Sequence, residues 1–242
     1  MKAEVPIFLT AEWRWLAMLN YEVAPALLAP FVPAGTELDE WNGKIFVSVV
    51  GFRFLHTRIR GIPIPFHQNF EEVNLRFYVR RRAEDGWRRG VVFLKELVPR
   101  AAIAFIARKV YNENYVAVPM WHRIDRHGES VKSAAYGWKV NGADGGMEVV
   151  TQGEAIPLVP DSQAEFITEH YWGYARQRDG ATMEYRVEHP FWKVWAAHSA
   201  RLNGDMEALY GAGFGECLQG APSSAFLAAG SAVSVFSGVR IF

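Results

Sequence analysis

The chain has 242 residues and a net charge of zero, with 26 Lys plus Arg against 26 Asp plus Glu, which excludes a general electrostatic attraction to nucleic acid or anionic membrane. Half of the residues are hydrophobic, so a sizeable core is available, in one large domain or two small ones. A single cysteine, Cys217, excludes an intramolecular disulfide and fits a reducing compartment.

The opening residues, MKAEVPIFLTAEW, hold no apolar run as long as a signal peptide needs. Residues 13–23 read as an aromatic-rich strand that ends at Pro25. A short helical turn over 26–28 is closed by Pro30 and Pro33. Residues 44–56 are apolar, β-branched and aromatic, a central strand bent at Gly51. Val73, Leu75, Phe77 and Val79 then alternate with Asn74, Arg76, Tyr78 and Arg80, a period of two. Asp85-Gly86 marks a hairpin turn into a strand over 87–97. Residues 99–110 predict a helix, with proline in its first turn and Ile103, Ile106, Ala107 and Val110 on one face.

Extended segments follow at 115–124, 130–140 and 147–154, separated by turn residues at 126–129 and 141–146. Ser162 and Glu165 have capping-box spacing and open a short helix toward Glu169. A hairpin over 171–178 and 182–189 turns at Asp179-Gly180, a helical stretch is expected within 192–209, and an alternating strand closes the chain over 232–242. The most apolar stretch, 221–242, is broken by serines, glycines and Arg240. A membrane span needs about 20 mostly apolar residues, so it reads as a buried strand. No repeat, low-complexity tract or linker divides the chain, which is expected to be one domain over 1–242. About nine closely spaced strands with few helices predict a mainly β fold, a closed or nearly closed, mostly antiparallel barrel with peripheral helices. Such barrels can hold a ligand inside. Nine Trp and sixteen Phe make either a thick aromatic core or an apolar pocket.

The chemistry-bearing residues concentrate at the centre. Glu72, Asn74, Arg76 and Tyr78 share one strand face. Inside a barrel they would orient a polar ligand or bias each other's ionisation. On an outer face they would be a solvated Glu–Arg pair. A register slip of one residue would exchange Glu72 for Glu71. Arg76, Arg80, Arg81, Arg82, Arg88 and Arg89 flank a turn that also carries Glu84 and Asp85, a solvated hairpin tip rather than a phosphate site.

His67, in the proline-rich run 63–67, is either a base or ligand group or a ring fixed by backbone hydrogen bonds. Glu169-His170 and Glu188-His189 form either an acid–base site or structural hydrogen bonds at strand ends. His122 and His127 have no accompanying ligands, and HExxH and CxxC are absent, so no metal is expected. Cys217 has no activating neighbour. Residues 211–215 follow no strand and are no dinucleotide loop, and GxSxG and P-loop patterns are absent, so no cofactor is expected.

Several segments carry a resemblance. They are Asn20-Tyr21-Glu22-Val23 with Pro25 and Leu27-Leu28, Phe52-Arg53-Phe54-Leu55 with residues 58–63, and Glu72-Val73-Asn74-Leu75-Arg76 with Tyr78-Val79. Gly90-Val91-Val92-Phe93, residues 166–171, and Val187-Glu188-His189-Pro190 with Trp192 complete the set. Through them nearly the whole chain resembles the YqjF-like family of uncharacterised bacterial proteins, a domain of unknown function with no activity to carry over. Residues 21–39 and 70–120 are similar, more distantly, to the acetoacetate decarboxylase-like fold. That resemblance implies a closed, mostly antiparallel barrel with an apolar interior and a glutamate at Glu71 or Glu72. It also places two adjacent lysines about where Tyr115 and Val116 stand. A neighbouring cation and desolvation depress the pKa of such a lysine and free its amine to attack a carbonyl. Tyr115 cannot do this, and Lys95 or Lys109 would need an unrelated geometry. The resemblance therefore implies the pocket, with Glu72, Arg108 and Tyr115, but not the decarboxylase reaction.

The leading expectation is a cytoplasmic barrel that binds a small, partly apolar carbonyl or carboxylate compound without Schiff-base chemistry. Arg76 or Arg108 would hold the acid group, Asn74 and His67 would add polar contacts, and aromatic walls would bury the remainder. A second expectation is a lysine-independent lyase, hydratase, isomerase or hydrolase. Glu72 would be its acid or base, and Tyr115 would donate to a developing oxyanion. A third is a structural or interaction protein, a homo-oligomer formed through exposed strands. Nucleic acid and membrane are not expected partners.

Overall fold

The computed structural model describes residues 5–100 and 114–242. The first half runs β1 (Ile7–Val23), helix α1 (Pro25–Leu28), a 3-10 turn (Ala29–Phe31), β2 (Glu37–Leu38), β3 (Ile45–Ile59), β4 (Ile62–Pro63), β5 (Phe70–Ala83), β6 (Gly86–Val98) and β7 (Tyr115–Ala117). The second half runs β8 (Met120–His127), β9 (Ser130–Val140), β10 (Ala143–Pro157), α2 (Gln163–Thr168), β11 (Trp172–Arg176), β12 (Thr182–Glu188), β13 (Lys193–Asn203), α3 (Met206–Tyr210), α4 (Ala212–Leu218), β14 (Ser224–Phe236) and β15 (Val239–Arg240). Among the described residues no helix is long and apolar enough to cross a membrane.

All the strands belong to one sheet. Strands β12, β11, β6, β5, β3, β1 and β14 follow one another by hydrogen bonding, and β12 pairs back to β14 to complete a ring. The ring is antiparallel except where β11 runs parallel to β6. Two of its seams are short. β12 meets β14 only at Val187–Val235 and Glu188–Ser234, and β11 meets β6 only at Trp172–Gly90 and Gly173–Val91. The barrel is therefore nearly closed. From β14 an arm of β13, β10, β9 and β8 continues the sheet.

Two cores result. Phe52, Phe54, Phe70, Val91, Trp192 and Val233 pack inside the ring, where α2 seats Phe166 and Ile167. The second core joins Leu19 of β1, Val49 of β3 and Leu75 of β5 to Ala134 and Tyr136 of β9 and Val149 of β10. The arm thus covers the outer face of the ring. Tyr136 is the tightest point of that junction. Its hydroxyl donates to the Trp15 carbonyl at 2.8 Å, and its ring lies over Gly51, where a Cβ would stand 2.6 Å from Cδ2.

Several elements differ from expectation. Of the helical stretch expected within 192–209, α3 (Met206–Tyr210) is helix, whereas residues 193–203 are strand because β13 pairs with both β10 and β14. Tertiary pairing overrides local propensity here. The β5–β6 hairpin pairs Ala83 with Gly86, so the loop is Glu84-Asp85. Between β9 and β10 the turn is only Asn141-Gly142, with φ of 50° and 83°, the two positive angles of a tight hairpin. The expected C-terminal strand begins earlier, at Ser224, and ends at Phe236. The helix expected over 99–110 lies, beyond Arg100, outside the described residues, and Arg108 and Lys109 lie there too.

A methyl group at position 51 must displace a buried, anchored ring. Gly51→Ala is expected to destabilise the protein by about 1–3 kcal/mol through overpacking. Urea unfolding would show this as a lower midpoint at unchanged slope. An unaltered midpoint would contradict this account of the junction.

Candidate functional site

Strand β5 is buried on both faces, so its alternation sorts side chains between two interiors rather than between core and water. Val73, Leu75, Phe77 and Val79 enter the outer core. Glu72, Asn74 and Arg76 point the other way and line a cavity of about 140 Å³ inside the ring. Glu71 sits on the opposite side, 3.3 Å from His122 Nδ1. Of the two neighbouring glutamates, Glu72 is therefore the one that lines the cavity, and the solvated-face reading of this strand does not hold. The walls include Phe8, Trp13, Phe52, Phe54, Phe70, Phe93, Trp172 and Trp192. The Phe54 and Phe70 rings stack at 4.6 Å. A space of this size is close to the ~150 Å³ that accommodates benzene in an engineered protein cavity.

Among the described residues, Asn74 and Tyr115 hold the Glu72 carboxylate. Asn74 Nδ2 donates to Oε1 at 2.9 Å and the Tyr115 hydroxyl donates to Oε2 at 3.1 Å. Strand β7 brings Tyr115 in by pairing parallel to β6, opposite Glu96. Strand β6 carries a bulge: Leu75 pairs with Lys95 while Arg76 pairs with Phe93. The extra residue lets Phe93 and Glu96 both line the cavity. Lys95 faces away, and its Nζ donates to the Leu209 carbonyl. Burial lowers the Lys95 pKa. Among the described residues no lysine lines the cavity.

Arg76, His67, His170 and His189 add to the polar lining. Arg76 Nη2 donates to the Ile167 carbonyl at 3.1 Å, in the last turn of α2. His67 Nδ1 lies 2.8 Å from the Pro65 carbonyl, a ring fixed by its own loop. His189 stacks on Trp192 at 4.1 Å, and burial lowers its pKa. His170 Nε2 is 3.2 Å from Asp39 Oδ2, which Arg89 Nε also reaches at 2.6 Å. Burial raises the Asp39 pKa, but the hydrogen bonds from His170 and Arg89 outweigh it and hold the carboxyl low. Burial pushes His170 down to about 4. Near neutral pH, then, Asp39 is an acceptor, His170 Nε2 carries the proton, and Nδ1 carries a lone pair. That tautomer is assigned from the hydrogen bond.

Sequence reasoning missed Glu96, because the bulge breaks the period of two. It also missed the pairing of His170 with Asp39, which are 131 positions apart. Of the two Glu–His pairs only the histidines line the cavity. Glu169 accepts from the Tyr171 hydroxyl and Glu188 pairs with Arg186 at 2.8 Å. The arginines of the β5–β6 hairpin are engaged by carboxylates: Arg81 and Arg88 each reach Glu184 at 2.6 Å, and Arg80 reaches Glu37 at 2.7 Å. Among the described residues no three His, Cys, Asp or Glu side chains converge as a metal site would require. Arg108 lies outside the described residues.

The chain belongs to DUF2071, the family described as "Uncharacterized conserved protein (COG2071)", whose model matches residues 10–232. It is similar to "Uncharacterized protein YqjF" of Bacillus subtilis (strain 168), 24% identical over 182 residues, 74% of this chain and 72% of that one. Acetoacetate decarboxylase from Legionella pneumophila subsp. pneumophila str. Philadelphia 1 superposes with a TM-score of 0.67 at 14% identity, covering 100% of this chain and 92% of that one. The enduracididine biosynthesis enzyme MppR complexed with pyruvate gives a TM-score of 0.66 at 13% identity, over 99% and 91% of the two chains. An acetoacetate decarboxylase-like enzyme from Sphingomonas wittichii RW1 gives 0.65 at 14% identity, over 98% and 94%. These structural likenesses establish the acetoacetate decarboxylase-like fold, and the family and fold that the sequence resembles are both found.

The depressed His170 pKa ties stability to pH. Between 6.5 and about 4 the unfolded chain binds a proton at this histidine that the folded protein refuses. Stability is therefore full above 6.5 and falls as pH drops through that window, by up to about 3 kcal/mol. His170→Gln keeps a donor for Asp39 but does not titrate, so its unfolding free energy should lose that slope. Urea titrations from pH 7 to 4 measure it, and equal slopes in both proteins would refute the assignment.

Proposed function

We propose that the barrel binds a small, partly apolar carbonyl or carboxylate compound in its cavity and forms no Schiff base with it. The observation that carries this reading is Tyr115. It stands where the decarboxylase resemblance puts the reactive lysine, and its hydroxyl donates to Glu72 at the cavity wall. A phenol cannot condense with a carbonyl, but it can hydrogen-bond to one. Arg76 supplies a charge-assisted anchor for an acid group, Asn74 steadies Glu72, and His67 and the aromatic walls bury the rest. A structural neighbour, MppR, holds pyruvate, which supports a small oxo acid here by analogy of fold alone. The balanced charge and lone cysteine of the chain suit a cytoplasmic protein acting on a small molecule.

The contact between Glu72 and Tyr115 favours one second reading, an enzyme that enolises a small carbonyl compound. The substrate C–H bond breaks, its proton passes to the Glu72 carboxylate, and the electron pair moves onto the carbonyl oxygen, where Tyr115 donates. The cavity itself weighs against a purely structural role.

Two experiments test these readings. Incubation with acetoacetate or pyruvate and sodium borohydride should leave the 27.3 kDa mass unchanged, whereas a reduced adduct on Lys95 or Lys109 would overturn the Schiff-base exclusion. Arg76→Ala should weaken binding of pyruvate about tenfold, as expected for loss of a charge-assisted pair, with native circular dichroism retained. Equal dissociation constants would remove Arg76 from the site.

A further inference from the structure

Among the described residues, the buried polar atoms Trp13 Nε1, Thr57 Oγ1, Asn74 Oδ1, Arg76 Nε and His170 Nδ1 of the cavity lining have no hydrogen-bond partner. Unpartnered buried groups of this kind are rare in folded proteins. Their types divide. Trp13 and Arg76 offer donors, and Thr57 serves either way. Asn74 presents an acceptor, because its Nδ2 is already committed to Glu72. His170 presents an acceptor too, because its Nε2–H is committed to Asp39.

A carboxylate or ketone carries only acceptors. It satisfies Arg76 and Trp13 but leaves His170 and Asn74 unmet. His170 is also firmly held. Its side chain is 1% exposed, its ring packs against Tyr78 at 4.7 Å and edge-on to Phe166 at 5.2 Å, and Asp39 fixes its tautomer. Arg76 lies against the same Tyr78 ring, with its guanidinium carbon 5.6 Å from the centroid. The anion anchor and the imidazole therefore both pack on one aromatic side chain.

We infer that the ligand is a small hydroxy acid, its carboxylate held by Arg76 and its hydroxyl donating to His170 Nδ1. This rests on the small-molecule reading of the cavity and narrows it to a substrate class. His170 is a specificity-determining residue, and Asp39 is a positioning residue that keeps its lone pair available. Oxo acids of the same length bind less well, because nothing on them meets the imidazole.

The test compares pentanoate with 2-hydroxypentanoate and 3-hydroxypentanoate, which differ from it only by the hydroxyl. One hydroxy acid should bind the wild-type protein about tenfold more tightly than pentanoate, the effect of one hydrogen bond to an otherwise unmet buried acceptor. In His170→Phe that preference, read as the ratio of the two dissociation constants within the variant, should vanish. A second readout needs no variant. In protein labelled with 15N at histidine, the resonance of the unprotonated His170 nitrogen should move upfield on adding the hydroxy acid and not on adding pentanoate. Equal affinities, or an unmoved nitrogen with a bound hydroxy acid, would overturn the hydroxy-acid inference and leave the cavity reading standing. If none of the three acids binds, the cavity reading falls and takes the inference with it.

Discussion

Residues 72 to 79 of β5 send alternate side chains into two separate buried layers, and the rest of the fold is arranged around that strand. Its apolar residues, Val73, Leu75, Phe77 and Val79, support the arm that wraps the barrel. Its polar residues, Glu72, Asn74 and Arg76, furnish the cavity. A slip of one position would bury Glu72 in an apolar layer and hand the cavity to leucine and valine. Burying an unpaired charge costs several kcal/mol. The register is therefore fixed by electrostatics as firmly as by hydrophobic packing.

The same economy governs charge elsewhere. Glu184, nearly buried on β12, accepts from both Arg81 and Arg88 across the ring. Asp39 accepts from Arg89 and His170. Each pair ties together elements distant in sequence at the short seam between β6 and the β11–β12 hairpin. These contacts supply there what a long ladder of backbone hydrogen bonds supplies between β1 and β3. Removing one partner from such a pair leaves a buried charge unmatched, which is why the hairpin rich in arginine is structural.

Much of this was legible in the chain. The period of two in β5 names its faces, and β9 runs over the residues expected of it. Ser162 does cap α2, accepting from the Glu165 amide at 3.2 Å. The reciprocal half of that motif differs, since the Glu165 carboxylate reaches Asp161 N. What failed to show depends on partners far along the chain. Strand β13 reads as helix until β10 and β14 flank it. The choice between Glu71 and Glu72 needed the ring, because the two faces of β5 are both apolar in their surroundings. His170 stood out as a residue, but nothing local announces Asp39.

The bulge in β6 has a reach beyond local geometry. In regular pairing the strand would alternate Phe93 in, Leu94 out, Lys95 in, Glu96 out. The one extra residue reverses the last two. A single position of backbone thus decides whether a ligand in this barrel meets an amine or a carboxylate, with no change in the amino acids themselves. Reactivity in such a scaffold is written partly in the spacing of the strand, so aligning side chains alone between its relatives would miss a change of chemistry.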